Sequence, residues 1–235
     1  KLKAMASNAV SSAAVSRIVG YILNKGNFAT SSPNLPQSIA ILAEANDANQ
    51  ATMPTEGTAI TSAQQAGNLY GYGSPIYHIA RILFPLQGGG ISSIPVTVFA
   101  QETADGSTTK IIEITPSGTA TADGTHTLVV AGREGLDAQF YDININSGDT
   151  TDDITAKMED AVNAILGTPV IASSTDYEAT FETKWSGLTA NELSISVDTS
   201  SNDLGITYSV STTQAGSGTP SIADALSQFG STWYT

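Results

Sequence analysis

The sequence predicts a mixed α+β and α/β chain: an α/β core layer interrupted by a β-rich inserted domain with one helix, preceded by an extended N-terminal arm. Three observations carry this reading. Between residues 38 and 99 a strand, two capped helices and a strand follow one another, the order of a βαβ crossover and hence of a parallel layer. From about 102 to 218 the texture changes to short apolar-alternating segments broken by Gly, Ser, Thr and Asn. After Ala215-Gly-Ser-Gly218 a helical pattern resumes. The expected division is therefore an arm over 1–30, a core α/β domain over 31–101, an inserted domain over 102–218 and a return to the core domain over 219–235.

Element by element, residues 6–16 are small and polar and read as a flexible arm. Lys1-Leu-Lys-Ala4 precedes Met5, which is the expected native start. Arg17, Ile18, Val19, Gly20, Tyr21, Ile22, Leu23 and Asn24 follow, a short run with β-formers on both faces. Such a strand must be covered on both sides. It either pairs with a neighbouring molecule's sheet edge or forms an edge strand of its own domain. Ser38-Ile-Ala-Ile-Leu-Ala43 reads as a buried strand. Thr61-Ser-Ala-Gln64 has the capping-box pattern, leading into Ala63, Ala66 and Leu69. Ser74-Pro75 starts a second helix whose Ile76, Ile79, Ala80 and Leu83 share one face. Gly88-Gly-Gly90 ends it, and a strand is expected over 94–99.

In the β-rich stretch, strands are expected over 109–115, 126–131, 140–145, 170–173, 177–184, 193–197 and 206–210. Tyr177, Ala179, Phe181 and Leu193, Ile195, Val197 show clean alternation. One helix is well marked: Asp149 or Thr150 caps it, Asp152 and Asp153 occupy its positive first turn, and Gly167 stops it. Its expected buried stripe is Ile154, Met158, Ala161, Val162 and Ile165. Thr219-Pro220 then starts a last helix with Ile222, Ala225, Leu226 and Phe229 inward. Trp233-Tyr-Thr235 reads as the start of a strand, so the gene is expected to continue beyond it.

Composition excludes several classes. The formal net charge of −13 and pI near 4.2 repel phosphate backbones, so direct nucleic-acid binding is not expected. With no cysteine there is no disulfide or thiolate chemistry. No run approaches the roughly 18 consecutive apolar residues of a membrane span, and residues 6–15 lack the apolar stretch of a signal peptide. His78 and His126 are the only histidines; neither has a nucleophile motif nearby, and they do not suggest zinc. Asp149-Thr-Thr-Asp-Asp153 lacks the glycine and distal Glu of a calcium loop and suits a helix start. Gly71-Tyr-Gly73 and Gly88-Gly-Gly90 lack the context of phosphate loops. No enzyme and no cofactor is expected.

A family resemblance says more. Ser32-Pro-Asn-Leu-Pro-Gln-Ser-Ile-Ala-Ile-Leu-Ala-Glu-Ala-Asn46 resembles the opening of the Mu-like contractile phage tail sheath proteins. Thr61-Ser-Ala63, Tyr70-Gly-Tyr-Gly-Ser-Pro75, Ala80-Arg-Ile-Leu-Phe-Pro85 and Ile94-Pro-Val-Thr-Val98 follow in that family's order, as do Gly218-Thr-Pro220, Ala225-Leu226 and Trp233-Tyr234. In the inserted stretch, Trp185-Ser-Gly-Leu-Thr-Ala-Asn-Glu192 stands where the family has a Gly-rich turn ending in Asn-Asp. The resemblance implies a virion tail protein, assembled in the bacterial cytoplasm, whose subunits form stacked hexameric rings around the tail tube protein. Baseplate and tail terminator proteins are the implied further partners, with no catalytic residue, cofactor or membrane insertion. It also implies that residues 17–24 form an intersubunit arm, and that contraction drives the tube through the host envelope. Sheaths of phage-tail-like bacteriocins or injection systems would read alike. From a different class, residues 102–218 could be a carbohydrate-binding or adhesin domain with Trp185 and Tyr177 as its platform.

Overall fold

The computed structural model describes residues 38–86, 90–91, 94–132 and 138–230, all within one compact unit, Gln37–Thr235. Residues 17–24 lie outside the described residues. The fold is mixed α/β: among the described residues, three sheets and four α-helices.

The first layer is built from β1 (Ile39–Glu44), β2 (Thr58–Ile60), α1 (Ala63–Tyr70), α2 (Pro75–Leu83) and β3 (Val96–Gln101). β1 and β3 are parallel, Ile39 opposite Val96 through Glu44 opposite Gln101, with both helices in the connection. The short β2, which the sequence reading lacks, runs antiparallel on the far side of β3, giving the order β1-β3-β2. Three residues carry too little periodicity to be read as a strand. Ile41 and Ala43 of β1 and Val96 and Val98 of β3 form a core with Ala66 and Tyr70 of α1 and Ile76 and Ala80 of α2. That places both helices against one sheet face.

Caps set where these helices begin. Ser74 Oγ accepts from Tyr77 N at 3.1 Å, with Pro75 at the first helical position. The box at α1 sits one residue later than its sequence pattern: Ser62 Oγ accepts from Gln65 N, and Gln65 Oε1 accepts from Thr61 N. Ser62 has the extended backbone that an N-cap needs.

Seven strands and one helix make the second core. β4 (Ile111–Ser117), β8 (Glu178–Thr183), β7 (Val170–Thr175) and β10 (Thr207–Gln214) form one antiparallel sheet in the order β10-β4-β8-β7. β5 (Gly124–Ala131), β6 (Gln139–Ile145) and β9 (Ser194–Asp198) form another, in the order β6-β5-β9. Ile112, Ile114, Leu128, Ile143 and Phe181 are buried between these sheets and the helix α3 (Thr151–Asn163).

α3 differs in part from its expected stripe. Ile154, Met158 and Val162 are fully buried, but the helix ends at Asn163, so Ile165 falls beyond it and is 48% exposed. Thr155 is buried instead, its hydroxyl donating to the carbonyls of Asp152 and Thr175. Thr150 is the cap: its Oγ1 accepts from Asp153 N, and the Asp153 carboxylate accepts from Thr150 N at 2.9 Å. Those hydrogen bonds from Thr150 hold the Asp153 carboxyl below its ordinary range. A lowered carboxyl pKa favours the folded state above the unfolded value, and that contribution disappears as pH falls through the folded one.

His126, on β5, is buried between the two sheets. Its Nε2 faces the Asn202 carbonyl at 3.1 Å, which can only accept, so Nε2 carries the proton. Its Nδ1 is hydrogen-bonded with the Tyr208 hydroxyl at 2.8 Å. Burial raises the Tyr208 phenol well above its ordinary pKa, so it remains a donor.

The last helix, α4 (Ala223–Ser227), is shorter than its pattern and starts after Ile222, not at Thr219-Pro220. Ala225 is buried, whereas Ile222 and Leu226 are about half exposed, so the expected stripe is only partly inward. Phe229 stacks on Phe99 of β3 at 4.7 Å, and Gln228 accepts from Gly57 N and donates to the Thr55 carbonyl. These contacts bring the end of the chain back to the first layer.

Two substitutions test this account. Tyr208→Phe leaves His126 Nδ1 buried without its hydrogen-bond partner and should lower stability by about 1–3 kcal/mol in urea denaturation. Thr150→Ala removes the α3 cap and should cost about 1 kcal/mol by the same measurement. Unchanged midpoints in both variants would contradict the assigned roles.

Candidate functional site: a junction and a cleft beside β1

The residues that the sequence singles out for chemistry are placed apart. His126 is enclosed in the second core, and His78 lies on α2 with its ring 5.6 Å from that of Tyr77. Asp149 pairs with Lys157 and accepts from Asn146 N, while Asp153 closes the cap of α3. Among the described residues no cluster of three or more His, Asp or Glu could hold a metal ion. Gly71 and Gly73 have φ of +92° and +88°, the left-handed turn geometry that follows α1. Trp185 and Tyr177 do not form a shared platform. Tyr177 is 63% exposed in the β7–β8 turn, but Trp185 is buried, its Nε1 donating to Thr189 Oγ1 at 3.1 Å. A closed indole offers no stacking face to a sugar.

The two cores are joined by polar contacts that converge on the segment after β1. Asp47 N donates to the Lys184 carbonyl at 2.9 Å. The Asp47 carboxylate accepts from the Ser186 amide and hydroxyl and from Thr103 Oγ1. Glu44, 5% exposed, accepts from Thr189 Oγ1 at 2.9 Å. Lys184 Nζ donates to the carbonyls of Leu166 and Tyr72, at 3.1 and 3.4 Å, and burial lowers its pKa. Nearby, Thr108 and Ser217 exchange both backbone hydrogen bonds, at 3.0 and 3.2 Å. The chain thus enters and leaves the second core at one place.

Next to this junction a cleft of about 800 Å³ opens beside the end of β1. Its lining includes Leu42 and Glu44 of β1, Ile79 and Ile82 of α2, and Trp185 and Leu193. Ile82 is 67% exposed. Among the described residues no strand pairs with β1 on the side away from β3. Ile39 N donates to the Pro95 carbonyl, so Ile39, Ile41 and Ala43 direct their backbone groups to β3. In a parallel ladder the alternate residues, Ala40, Leu42 and Glu44, then direct theirs outward. A ladder edge and apolar walls in one slot suit an extended peptide. Period-two patterning marks a strand but not its place in the sheet, so this edge is not readable from the sequence.

Asp47→Ala removes the acceptor shared by Ser186 and Thr103. It should destabilise the protein by about 1–3 kcal/mol in chemical denaturation. Amide exchange at Ser186 should speed up; unaltered exchange there would mean that Asp47 does not hold the junction.

No family model matches the chain. The Mu-like prophage FluMu tail sheath protein of Haemophilus influenzae is 24% identical over 182 residues, covering 76% of this chain and 35% of that protein. The chain thus spans about a third of that relative's length. Among solved structures, the D1-D2-D3 domains of the Escherichia coli flagellar cap protein FliD are 18% identical, covering 47% of this chain and 34% of that one, with a TM-score of 0.32. The FliD D2-D3 domains give 16% identity over 50% of this chain and 72% of that one, with a TM-score of 0.27. Over three quarters of its length the chain is thus similar in sequence to a Mu-like prophage tail sheath protein.

Proposed function

We propose that this protein is a structural subunit of a contractile phage tail sheath. In this reading it polymerises as hexameric rings around the tail tube and contracts to drive the tube through the host envelope. The observation that carries the reading is the relative named for the tail sheath, 24% identical over 76% of the chain. Its partners are copies of itself, the tail tube, and the baseplate and terminator proteins. It acts by assembly and carries no catalysis, and it resides in the virion tail after assembly in the host cytoplasm.

Within that reading, residues 102–218 are an insertion that faces outward from the sheath. Two structural features support the insertion: a core separate from that of the first layer, and the Thr108–Ser217 bridge where the chain crosses in and out. Residues 17–24 are an arm that adds a strand to a neighbour. Main-chain pairing would keep subunits tethered while side-chain contacts between rings are exchanged.

Electron microscopy of the purified full-length protein at increasing concentration tests this. Rings or tubes should form, and deleting residues 6–24 should abolish them while leaving a cooperative thermal transition. Assemblies that persist after the deletion would remove the arm from the mechanism, and a protein that stays monomeric throughout would remove the sheath reading.

A further inference from the structure

We propose that Asp105 is a site of spontaneous covalent modification, at which its side chain takes over the main-chain link to Gly106. The sequence offers this chemistry twice. Thr103-Ala-Asp-Gly-Ser107 and Thr121-Ala-Asp-Gly-Thr125 are nearly the same pentapeptide and contain the only Asp-Gly pairs of the chain; no Asn-Gly pair occurs. Glycine matters because it puts no side chain in the way of its own nitrogen. The Gly106 nitrogen attacks Asp105 Cγ, an N–Cγ bond closes a five-membered succinimide, and the carboxyl hydroxyl leaves with the amide proton as water. Water then opens the ring. Addition at the main-chain carbonyl breaks the bond from Asp105 C to Gly106 N, so the chain runs through Cγ with one extra methylene. Composition is unchanged, and no oxidant, metal or second substrate is consumed.

Local sequence gives both aspartates much the same reactivity, and the fold separates them. Asp105 and Gly106 are exposed, in a turn closed by Ser107 N donating to the Ala104 carbonyl at 3.1 Å. Among the described residues nothing hydrogen-bonds the Asp105 carboxylate or the Gly106 amide. Gly106 has φ of +75°, and a Cβ there would meet nothing within 4 Å, so the turn has room to bring nitrogen onto Cγ. Asp123 is held instead. Its Oδ1 accepts from Ser147 N at 2.6 Å, Gly124 begins β5 opposite Ile145, and a Cβ at Gly124 would meet Leu204 at 2.8 Å. The reactive turn also lies between two anchors. Thr103 donates its hydroxyl to Asp47 and its amide to Gln50 Oε1, and Thr108 exchanges both backbone bonds with Ser217. An extra methylene between fixed ends must be absorbed by one of them, so the modification acts on the join between the two cores.

The purified protein is aged in oxygen-18 water, folded and in urea, and its peptides are mapped by mass spectrometry. Each ring opening leaves one heavy oxygen, and an isoaspartate-specific methyltransferase tags the rearranged product. In the folded protein Asp105 should take up label on the order of tenfold or more faster than Asp123, which reacts only through local opening. In urea the two sites should label at similar rates. Asp105→Glu should remove the label at 105, because its ring would need six members. In aged parent protein the amides of Thr108 and Ser217 should exchange faster than in fresh protein, and Asp105→Glu aged alongside should show no such change. Equal labelling of both sites in the folded protein would overturn the selection by the fold. A site at 105 that labels in urea but not when folded would overturn the proposal. Unchanged exchange at Thr108 and Ser217 after conversion would overturn its effect on the join.

Discussion

Two hydrophobic cores in one chain hold a fixed arrangement only if something directional joins them, because apolar contact by itself is not directional. Here the directional element is the carboxylate of Asp47, which gathers the amide and hydroxyl of Ser186 and the hydroxyl of Thr103. Glu44, three residues earlier and almost buried, fixes Thr189, and Thr189 in turn holds the Trp185 indole closed. Hydrogen bonds to charged groups are the stronger kind and tolerate little change in geometry. The cleft beside β1 has its shape because this junction sets Trp185 and Leu193 opposite α2.

The junction also explains why a long second module can interrupt the first layer without breaking it. Thr108 and Ser217 pair back to back, so the chain closes behind the insertion. The first layer then sees one pair of crossing strands and not more than a hundred residues of extra loop. Phe229 and Gln228 complete the return by docking at Phe99, Gly57 and Thr55, with Phe99 outside the set of side chains that meets α1 and α2.

Local signals account for much of this. Ser74-Pro75 starts α2, Thr150 and Asp153 cap α3, and alternation marks β8 and β9 because one face of each meets the core. Where the signal failed, a tertiary contact had overridden it. Ile165 has the right period for the α3 stripe, yet the helix ends at Asn163, whose side chain instead bonds both backbone groups of Ala172 on β7. Thr155 looks like a surface residue and is buried because the Thr175 carbonyl takes its hydroxyl. The pattern at Thr219-Pro220 promises a helix there, but α4 begins only after Ile222 and is held largely by Ala225, Gln228 and Phe229.

The sequence by itself determined most element types, the caps of α2 and α3, the family resemblance and the acidic, cysteine-free character, since each of these is written in neighbouring residues or in their sum. Only the tertiary structure decided which strand stands at the sheet edge among the described residues, that Trp185 and Tyr177 share no platform, and that Asp47 is the join. Those depend on residues far apart in the chain, Asp47 and Ser186 above all, and no local period or composition encodes which distant partner a carboxylate will meet.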